Sequence, residues 1–147
     1  IARAFGAKVI YYSASGAPAQ EGYEQVDFET LLTQSDIISV HAPLNEHTEG
    51  LINSKAFEKM KSSCIFLNLG RGPIVDEQAL YNALVRNQIA AAGLDVLCKE
   101  PMSADNPLLK IKDSKRLLIT PHIAWASVEA RTHLMEIIHG QVKDFFA

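Results

Sequence analysis

The sequence predicts an α/β protein with a doubly wound, parallel β-sheet. Short runs rich in β-branched and aromatic residues alternate with segments of helical periodicity along the 147 residues. Strands that alternate with helices in this way form βαβ units, and the strands of such units lie parallel. Residues 65–69 form an apolar run, which is typical of a strand buried on both faces. We therefore expect one sheet covered by helices on both sides.

The predicted elements follow one another in a regular order. Residues 1–6 are expected to be the last turns of a helix that Gly6 closes. Strands are predicted at residues 8–12, 37–41, 65–69, 90–96 and 117–120. Helices are predicted at residues 28–34 and 54–60, after Asp76, and at residues 127–147. Asn53, Asp76 and Ser127 are the expected N-caps, because their side-chain oxygens can accept free backbone N–H groups of the first turn. The last helix carries an apolar face of Leu134, Ile137, Ile138, Val142 and Phe145.

Composition argues against several classes of function. Hydrophobic residues make up 48% and charged residues 21%, as in an ordinary globular protein. The net charge is −3 and the basic residues are scattered, so no nucleic-acid partner is expected. No apolar run reaches the ~20 residues that cross a bilayer, so no membrane partner is expected either. Cys64 and Cys98 form no CxxC pair, and we expect buried thiols in a cytoplasmic protein without a disulfide or a bound metal.

Chemically useful side chains follow the predicted strands. In open parallel sheets, ligands bind beside the carboxyl ends of the strands. The residues at those ends are Ser13, His41, Ala42, Pro43, Leu44, Gly70, Arg71, Gly72, Asp95, Pro121 and His122. A lone arginine in a turn is most often an ordinary surface residue. Arg71, however, lies between two glycines that allow a ligand to approach, and its guanidinium can grip the carboxylate of a 2-keto or 2-hydroxy acid through two parallel hydrogen bonds.

His122 and Glu100 form a second candidate group. A lone histidine is more often structural than catalytic, and His41, His133 and His139 are expected to follow that rule. His122 differs because Glu100 also lies in a loop after a strand, so the two side chains can meet at one edge of the sheet. A carboxylate beside an imidazole stabilises the protonated ring. The pair is therefore a candidate proton donor and acceptor.

Several segments together resemble the D-isomer-specific 2-hydroxyacid dehydrogenases. The segments are residues 67–76 (LNLGRGPIVD), 93–96 (GLDV) followed by Glu100, 120–124 (TPHIA), and 41–44 (HAPL) followed by Thr48. The resemblance runs along the whole chain and implies a Rossmann-like fold. It implies that Arg71 binds substrate, that His122 is the acid/base and that Glu100 polarises it. The implied cofactor contacts are Ser13, His41, Ala42, Pro43, Thr48, Leu69, Gly70, Arg71, Asp95, His122 and Ala124, with Asp95 at the nicotinamide carboxamide.

The sequence also departs from that family's pattern. The glycine-rich fingerprint that holds the pyrophosphate is expected just before Ile1, so residues 1–147 are expected to be a dinucleotide-binding domain without its first strand and glycine-rich loop. We expect an unfilled strand position beside residues 8–12, or another chain in it, and a last helix that returns towards a substrate domain. Ser13 replaces the usual ribose-binding acid. No arginine or lysine lies between Lys8 and Lys55, which favours NAD over NADP.

The resemblance implies an oxidoreductase that transfers a hydride between NAD(H) and a small D-2-hydroxy or 2-keto acid. Residues 122–126 (HIAWA) are similar to the glycerate dehydrogenase (hydroxypyruvate reductase) branch, while a lactate/pyruvate type stays open. The full-length protein is expected to be a homodimer. An alternative is an NAD(H)-sensing, co-repressor-like binding protein, because such proteins carry the same three residues. An enzyme would oxidise NADH with a keto acid at ordinary turnover, whereas a sensor would bind nucleotide tightly and turn over poorly.

Overall fold

The computed structural model describes residues 1–146 and has the predicted parallel α/β architecture. The strands are β1 (Ile10–Tyr11), β2 (Glu24–Gln25), β3 (Ile37–Val40), β4 (Ile65–Asn68), β5 (Ala91–Leu94) and β6 (Leu117–Ile119). The α-helices are α1 (Phe28–Gln34), α2 (Ser54–Lys59), α3 (Glu77–Val85) and α4 (Val128–Phe145). Short 3-10 helices lie at Ala2–Phe5, Gly72–Ile74 and Pro107–Lys110.

The six strands form two parallel sheets. The larger has the order β3-β4-β5-β6, with Ile38 opposite Phe66 and Phe66 opposite Ala92. The smaller pairs β1 with β2 alone, so within residues 1–146 the other edge of β1 carries no strand. β2 is not predicted by the sequence, because Glu24–Gln25 has no apolar pattern and is a strand only through its backbone pairing with β1.

The hydrophobic core lies between one face of the larger sheet and helices α1, α2 and α3. The buried sheet residues include Ile38, Phe66 and Ala92, which are neighbours in register. Phe66 meets Phe57 of α2 edge to face, with ring centroids 5.5 Å apart. This geometry suits the quadrupoles of two aromatic rings and adds to the stabilisation from burial. The core therefore holds rigid the strands from whose carboxyl ends the candidate site is built.

The opposite face of the larger sheet is open. Ile37 is 61% exposed and Leu118 is 62% exposed, and α4 has no buried residue. The expectation that helices cover both faces is therefore wrong for the part of the chain that the structure describes. Most side chains of residues 65–69 are apolar and suited to burial, but a side chain is buried only where another element packs on it. Ile65 is exposed in the part of the chain described.

Helix boundaries agree with the predicted caps. The side chains of Asn53, Asp76 and Ser127 each accept a backbone N–H of the helix that follows. Residue 147, the end of the predicted last helix, lies outside the described residues. Gly6 has φ 83° and closes a 3-10 helix rather than the predicted α-helical turns.

The remaining predictions concern the burial of Cys64 and Cys98, membrane-spanning helices and clusters of metal ligands. Cys64 is buried as expected, but Cys98 is exposed in the loop after β5, so the prediction of two buried thiols is wrong for Cys98. The strand predicted at residues 90–96 ends at Leu94, so Cys98 lies in the loop beyond it. Among residues 1–146, no helix is long and apolar enough to cross a membrane, and no three metal-ligating side chains cluster.

The open sheet face and α4 lead to a prediction about residues 1–147 expressed alone. We expect this chain to self-associate and to bind a dye specific for exposed apolar surface, because Ile37, Leu118 and the apolar face of α4 are unburied. Light scattering after gel filtration and dye fluorescence would measure both properties. The full-length protein is the control: it should form no assembly larger than the expected homodimer and should bind little of the dye. A monomeric chain of residues 1–147 with a sharply cooperative melt would contradict the prediction.

Candidate active site

Three segments at the carboxyl ends of adjacent strands form the candidate site. Arg71 lies in the turn after β4, Glu100 in the loop after β5, and His122 directly after β6. The structure brings Glu100 and His122 into contact, with Oε2 of Glu100 2.8 Å from Nδ1 of His122. Arg71 lies at the same edge of the sheet, after β4. It is therefore one strand away from the strand before Glu100 and two strands away from the strand before His122.

Glu100 is held in place by its own loop. Its Oε1 accepts a hydrogen bond of 2.9 Å from the backbone N–H of Leu97. This hydrogen bond and the one with His122 lower the pKa of Glu100, so the side chain is a carboxylate near neutral pH. A carboxylate can only accept, so Nδ1 of His122 is the donor and Nε2 is left for a ligand. The Glu100 and His122 side chains are 38% and 37% exposed, which leaves the pair accessible.

Asp95 fastens the turn that carries His122. Its Oδ1 accepts hydrogen bonds from the hydroxyl of Thr120 at 2.5 Å and from the N–H of Ile123 at 2.9 Å. Its Oδ2 accepts the N–H of Ala124 at 2.9 Å. His122 has φ 55°, a left-handed conformation that costs a residue other than glycine about 1–3 kcal/mol unless its surroundings hold it. The hydrogen bonds to Asp95 on both sides of His122 supply that restraint.

The ionisation of Asp95 follows from the same contacts. Burial acts to raise the pKa of Asp95, but hydrogen bonds from Thr120, Ala124 and Ile123 outweigh it and lower the pKa. Asp95 is only 3% exposed, and both of its oxygens already accept hydrogen bonds. The contact expected between Asp95 and a nicotinamide carboxamide stays a prediction, and the contacts observed assign Asp95 to the backbone around His122.

Asn68 shapes the turn that carries Arg71. It is buried at the end of β4, where its Nδ2 donates to the carbonyl of Arg71 at 3.0 Å and its Oδ1 accepts the N–H of Gly70 at 3.1 Å. The Arg71 side chain is exposed, and its Nη1 donates to the carbonyl of Gly70 at 2.8 Å. Asn68 is not among the residues predicted from the sequence. Its signal there is a lone amide in an apolar run, because a buried amide needs specific partners.

The Arg71 turn packs directly on the loop that carries Glu100. A Cβ added to Gly72 would overlap the carbonyl group of Leu97 and the backbone nitrogen of Cys98. Only glycine therefore allows these two backbones to approach so closely. The carboxylate-binding candidate and the acid–base candidate thus lie on segments in van der Waals contact.

Most of the residues expected to contact the cofactor follow β1, β3 and β4, and Asp95, His122 and Ala124 follow β5 and β6. A Cβ on Gly70 would come within 2.9 Å of the carbonyl oxygen of Ala42, so the loops after β3 and β4 touch. The Thr48 hydroxyl is buried and donates to the carbonyl of Pro43 at 2.7 Å, which holds the 43–48 loop. Ser13 accepts the N–H of Ala17 and belongs to the loop after β1 in the smaller sheet.

The remaining expected contacts are largely accessible. His41, Leu69 and Ala124 are exposed at the ends of β3, β4 and β6. Nε2 of His41 already bonds to the Ser39 hydroxyl at 2.8 Å. Their contacts with a cofactor stay predictions.

A cavity of about 500 Å³ adjoins the acid–base pair. Glu100, Asp95 and His122 supply its polar lining, and Leu97, Met102 and Ile119 are among its apolar residues. A mainly apolar cleft with a few converging polar groups is the usual form of a small-molecule site.

A parallel α/β sheet with this arginine turn and this carboxylate–imidazole pair at its strand ends has the architecture of a nucleotide-binding α/β domain, in which ligands lie at the carboxyl ends of the strands. Residues 1–124 match the family described as "D-isomer specific 2-hydroxyacid dehydrogenase, NAD binding domain". The chain belongs to this family, and the resemblance predicted from its motifs is confirmed.

Relatives and solved structures agree with this assignment. The chain is 46% identical over 147 residues to a hydroxypyruvate reductase of Blautia hydrogenotrophica, covering 99% of this chain and 45% of the relative. An acyclic imino acid reductase (Bsp5) solved with NADPH and D-Arg has a TM-score of 0.87 at 37% identity, over 99% of this chain and 45% of that one. D-lactate dehydrogenase from Aquifex aeolicus, solved with NAD and lactic acid, has a TM-score of 0.86 at 30% identity, over 98% and 47%. The chain therefore spans less than half the length of these proteins.

The contact of Gly72 with the Glu100 loop leads to a prediction for the full-length protein. Gly72→Ala should lower the free energy of unfolding by about 1–3 kcal/mol, because the new methyl group forces two backbones apart. Denaturant unfolding measures the change. Gly140→Ala is the matched control: a Cβ there meets nothing within 4 Å, and alanine should stabilise helix α4 by up to about 1 kcal/mol. Equal stability of the parent and Gly72→Ala would contradict the close packing.

The Asp95 hydrogen bonds predict a pH-dependent stability. A depressed pKa in the folded protein means that the stabilisation is present above the unfolded pKa, near about 4, and is lost as pH falls through the folded value. Asp95→Asn should therefore cost about 1–3 kcal/mol near neutral pH, and the difference from the parent should shrink on acidification. Unfolding curves at several pH values measure this difference. Asp144→Asn, at an exposed aspartate with no side-chain hydrogen bond among the described residues, is the control and should change little. A deficit for Asp95→Asn that is constant down to acid pH would argue against the ionised carboxylate.

Proposed function

We propose that the full-length protein is an oxidoreductase that interconverts a small 2-keto acid and the D-2-hydroxy acid with NAD(H). The observation that supports this most directly is the 2.8 Å contact of Glu100 with His122, in a cleft on the same sheet edge as Arg71. Each group supplies one requirement of the reaction: a cation for the substrate carboxylate, a proton donor for its carbonyl oxygen, and a carboxylate that stabilises the charged imidazole.

In this proposal His122 moves the proton. With Nδ1 bonded to Glu100, the protonated ring presents its Nε2–H to the carbonyl oxygen of the keto acid. It donates this proton as negative charge develops on the oxygen, and the neutral ring accepts the proton back when the hydroxy acid is oxidised. Glu100 stabilises the imidazolium, and the backbone hydrogen bonds to Asp95 keep the ring oriented.

Arg71 holds the substrate in this proposal. One of its N–H groups is used on the carbonyl of Gly70, which restrains the side chain and leaves the other donors for the substrate. A planar guanidinium can bind the two oxygens of a carboxylate in parallel, an arrangement that a lysine ammonium cannot reproduce. This grip suits an acid whose carbonyl is adjacent to its carboxylate.

The residues beside β1, β3 and β4 fit a dinucleotide. The loops after β3 and β4 touch at Gly70, and this contact brings the expected cofactor residues of the two loops together. Near β1, Ser13 offers a hydroxyl and residues 9–54 carry no lysine or arginine for a 2′-phosphate, so we propose NAD rather than NADP. The reduced dinucleotide, when bound, supplies a hydride to the carbonyl carbon and is left oxidised. The solved relative with NADPH makes cofactor preference a point to measure.

The domain organisation is also part of the proposal. Residues 1–147 would be the dinucleotide-binding domain of a longer chain whose first strand lies beside β1, and α4 would return towards a substrate domain. The free edge of β1 and the exposed apolar face of α4 support this arrangement. A homodimer and a cytoplasmic location stay predictions that rest on the family resemblance.

For the substrate we propose the hydroxypyruvate/glycerate pair. The support is the 46% identity to a protein named hydroxypyruvate reductase, together with the segment at residues 122–126. Pyruvate and lactate are the pair to compare, because a solved relative is a D-lactate dehydrogenase.

The pH dependence of the full-length protein tests the proposed function. The parent should oxidise NADH with hydroxypyruvate, and the rate should fall as pH rises and His122 loses its proton. Glu100→Gln keeps the shape and removes the charge that stabilises the imidazolium, so this limb should move to lower pH. Steady-state rates across the pH range measure the shift.

His122→Gln is the control in this experiment. It should lose most turnover in both directions while still binding NADH, because the proton donor is gone but the fold is kept. An unshifted limb in Glu100→Gln would mean that Glu100 is structural. A parent that binds NADH tightly and turns over no 2-keto acid would favour the co-repressor-like alternative.

A further inference from the structure

We propose that Glu77 is a positioning residue for the acid–base pair: its carboxylate holds both ends of the loop that carries Glu100. This inference rests on the proposed function, because it concerns the same pair. Glu77 is the first residue of α3 and lies outside the cleft.

The two oxygens of Glu77 bind two well-separated points of one loop. Oε1 accepts the backbone N–H of Cys98 at 2.8 Å, just before Glu100. Oε2 accepts Nδ2 of Asn106 at 2.7 Å, at the far end of the loop. Asn106 is itself buried and caps the following 3-10 helix by accepting the N–H of Leu108 at 2.9 Å. A single carboxylate therefore links the two ends of the segment 98–106 by hydrogen bonds.

The same residue connects this loop to the turn that carries Arg71. α3 starts directly after that turn, so Glu77 follows Gly72 closely along the chain. The backbone of Gly72 already lies against Leu97 and Cys98. The thiol of Cys98 also approaches the carbonyl of Val75 at 3.5 Å. A loop pressed on the turn at Gly72 and tied to α3 by Glu77 has little freedom to move Glu100 away from His122.

Glu77 lies in the first turn of α3, at the N-terminal end of the helix. Carboxylates are stabilised in the first turn of a helix by its free N–H groups and its dipole. Although Cys98 is exposed as a residue, its thiol group is partly buried. This burial and the charge of Glu77 raise the pKa of the Cys98 thiol to about 11, so the thiol stays neutral. The charge of Asp76 also raises the pKa of the Cys98 thiol. The charged groups that interact with His122 are the carboxylates of Glu100 and Asp95.

Glu77→Gln in the full-length protein tests the clamp. Glutamine keeps one oxygen but cannot accept both N–H groups, so the loop should loosen. We expect kcat for keto-acid reduction to fall about 10-fold or more, because small displacements of a catalytic group are costly. The KM for NADH should stay within about 2-fold of the parent value, because the clamp lies away from the dinucleotide. The reduction limb should move to lower pH, in the direction of Glu100→Gln, and adding Glu77→Gln to Glu100→Gln should shift it no further.

Two further variants separate positioning from general stability. Glu29→Gln makes the same change in the first turn of α1, at a glutamate that pairs only with Lys59 at 3.0 Å among the residues described, and should leave the limb unchanged. Asn106→Ala removes one arm of the clamp and should give a smaller shift in the same direction. A Glu77→Gln protein that melts earlier but keeps the parent pH limb would overturn the inference.

A second readout does not require turnover. Hydrogen exchange of the backbone amides of Leu97 and Cys98, followed by NMR in the full-length protein, should be faster in Glu77→Gln than in the parent and in Glu29→Gln, because these N–H groups are bonded to Glu100 and Glu77. A parent without keto-acid reduction would reject the proposed function while amide exchange still decides the clamp. Equal exchange rates in all three proteins would reject the clamp alone.

Discussion

The carboxylate of Asp95 is the constraint on which the rest of the site depends. It lies at the end of β5 and accepts hydrogen bonds from Thr120, Ile123 and Ala124, on both sides of His122. A histidine with positive φ would otherwise relax towards an ordinary backbone conformation and turn its ring away from Glu100. Neighbouring parallel strands place the two segments side by side, and the buried carboxylate converts that proximity into a defined orientation of one imidazole.

The second requirement is that three separate segments keep their mutual positions. Asn68 holds the Arg71 turn through hydrogen bonds to its backbone, and Gly72 allows that turn to contact the Glu100 loop. Glu77 links the loop to α3 through a hydrogen bond. Asn68, Gly72 and Glu77 themselves are not among the residues that line the cleft. Each restrains backbone rather than substrate, which is how a site made of loops can be as rigid as the sheet beneath it.

The structure is well packed on one side and open on the other. α1, α2 and α3 bury one sheet face, whereas the opposite face and α4 expose large apolar side chains. A chain that spans less than half the length of its relatives can leave such surfaces unburied, because buried area depends on partners as well as on sequence. The free edge of β1 follows the same logic, since a strand pairs only where a second backbone is available.

The sequence by itself determined the α/β alternation, most helix caps, the family, and the three candidates Arg71, Glu100 and His122, because these depend on local periodicity and on short motifs. It could not show β2, the exposure of Cys98, the roles of Asn68 and Glu77, or the engagement of Asp95 with backbone rather than open solvent. Those features depend on contacts between residues far apart in the chain, such as Glu77 with Asn106. Only the tertiary structure decided them, because a hydrogen bond between distant residues exists only after the strands have brought their backbones together.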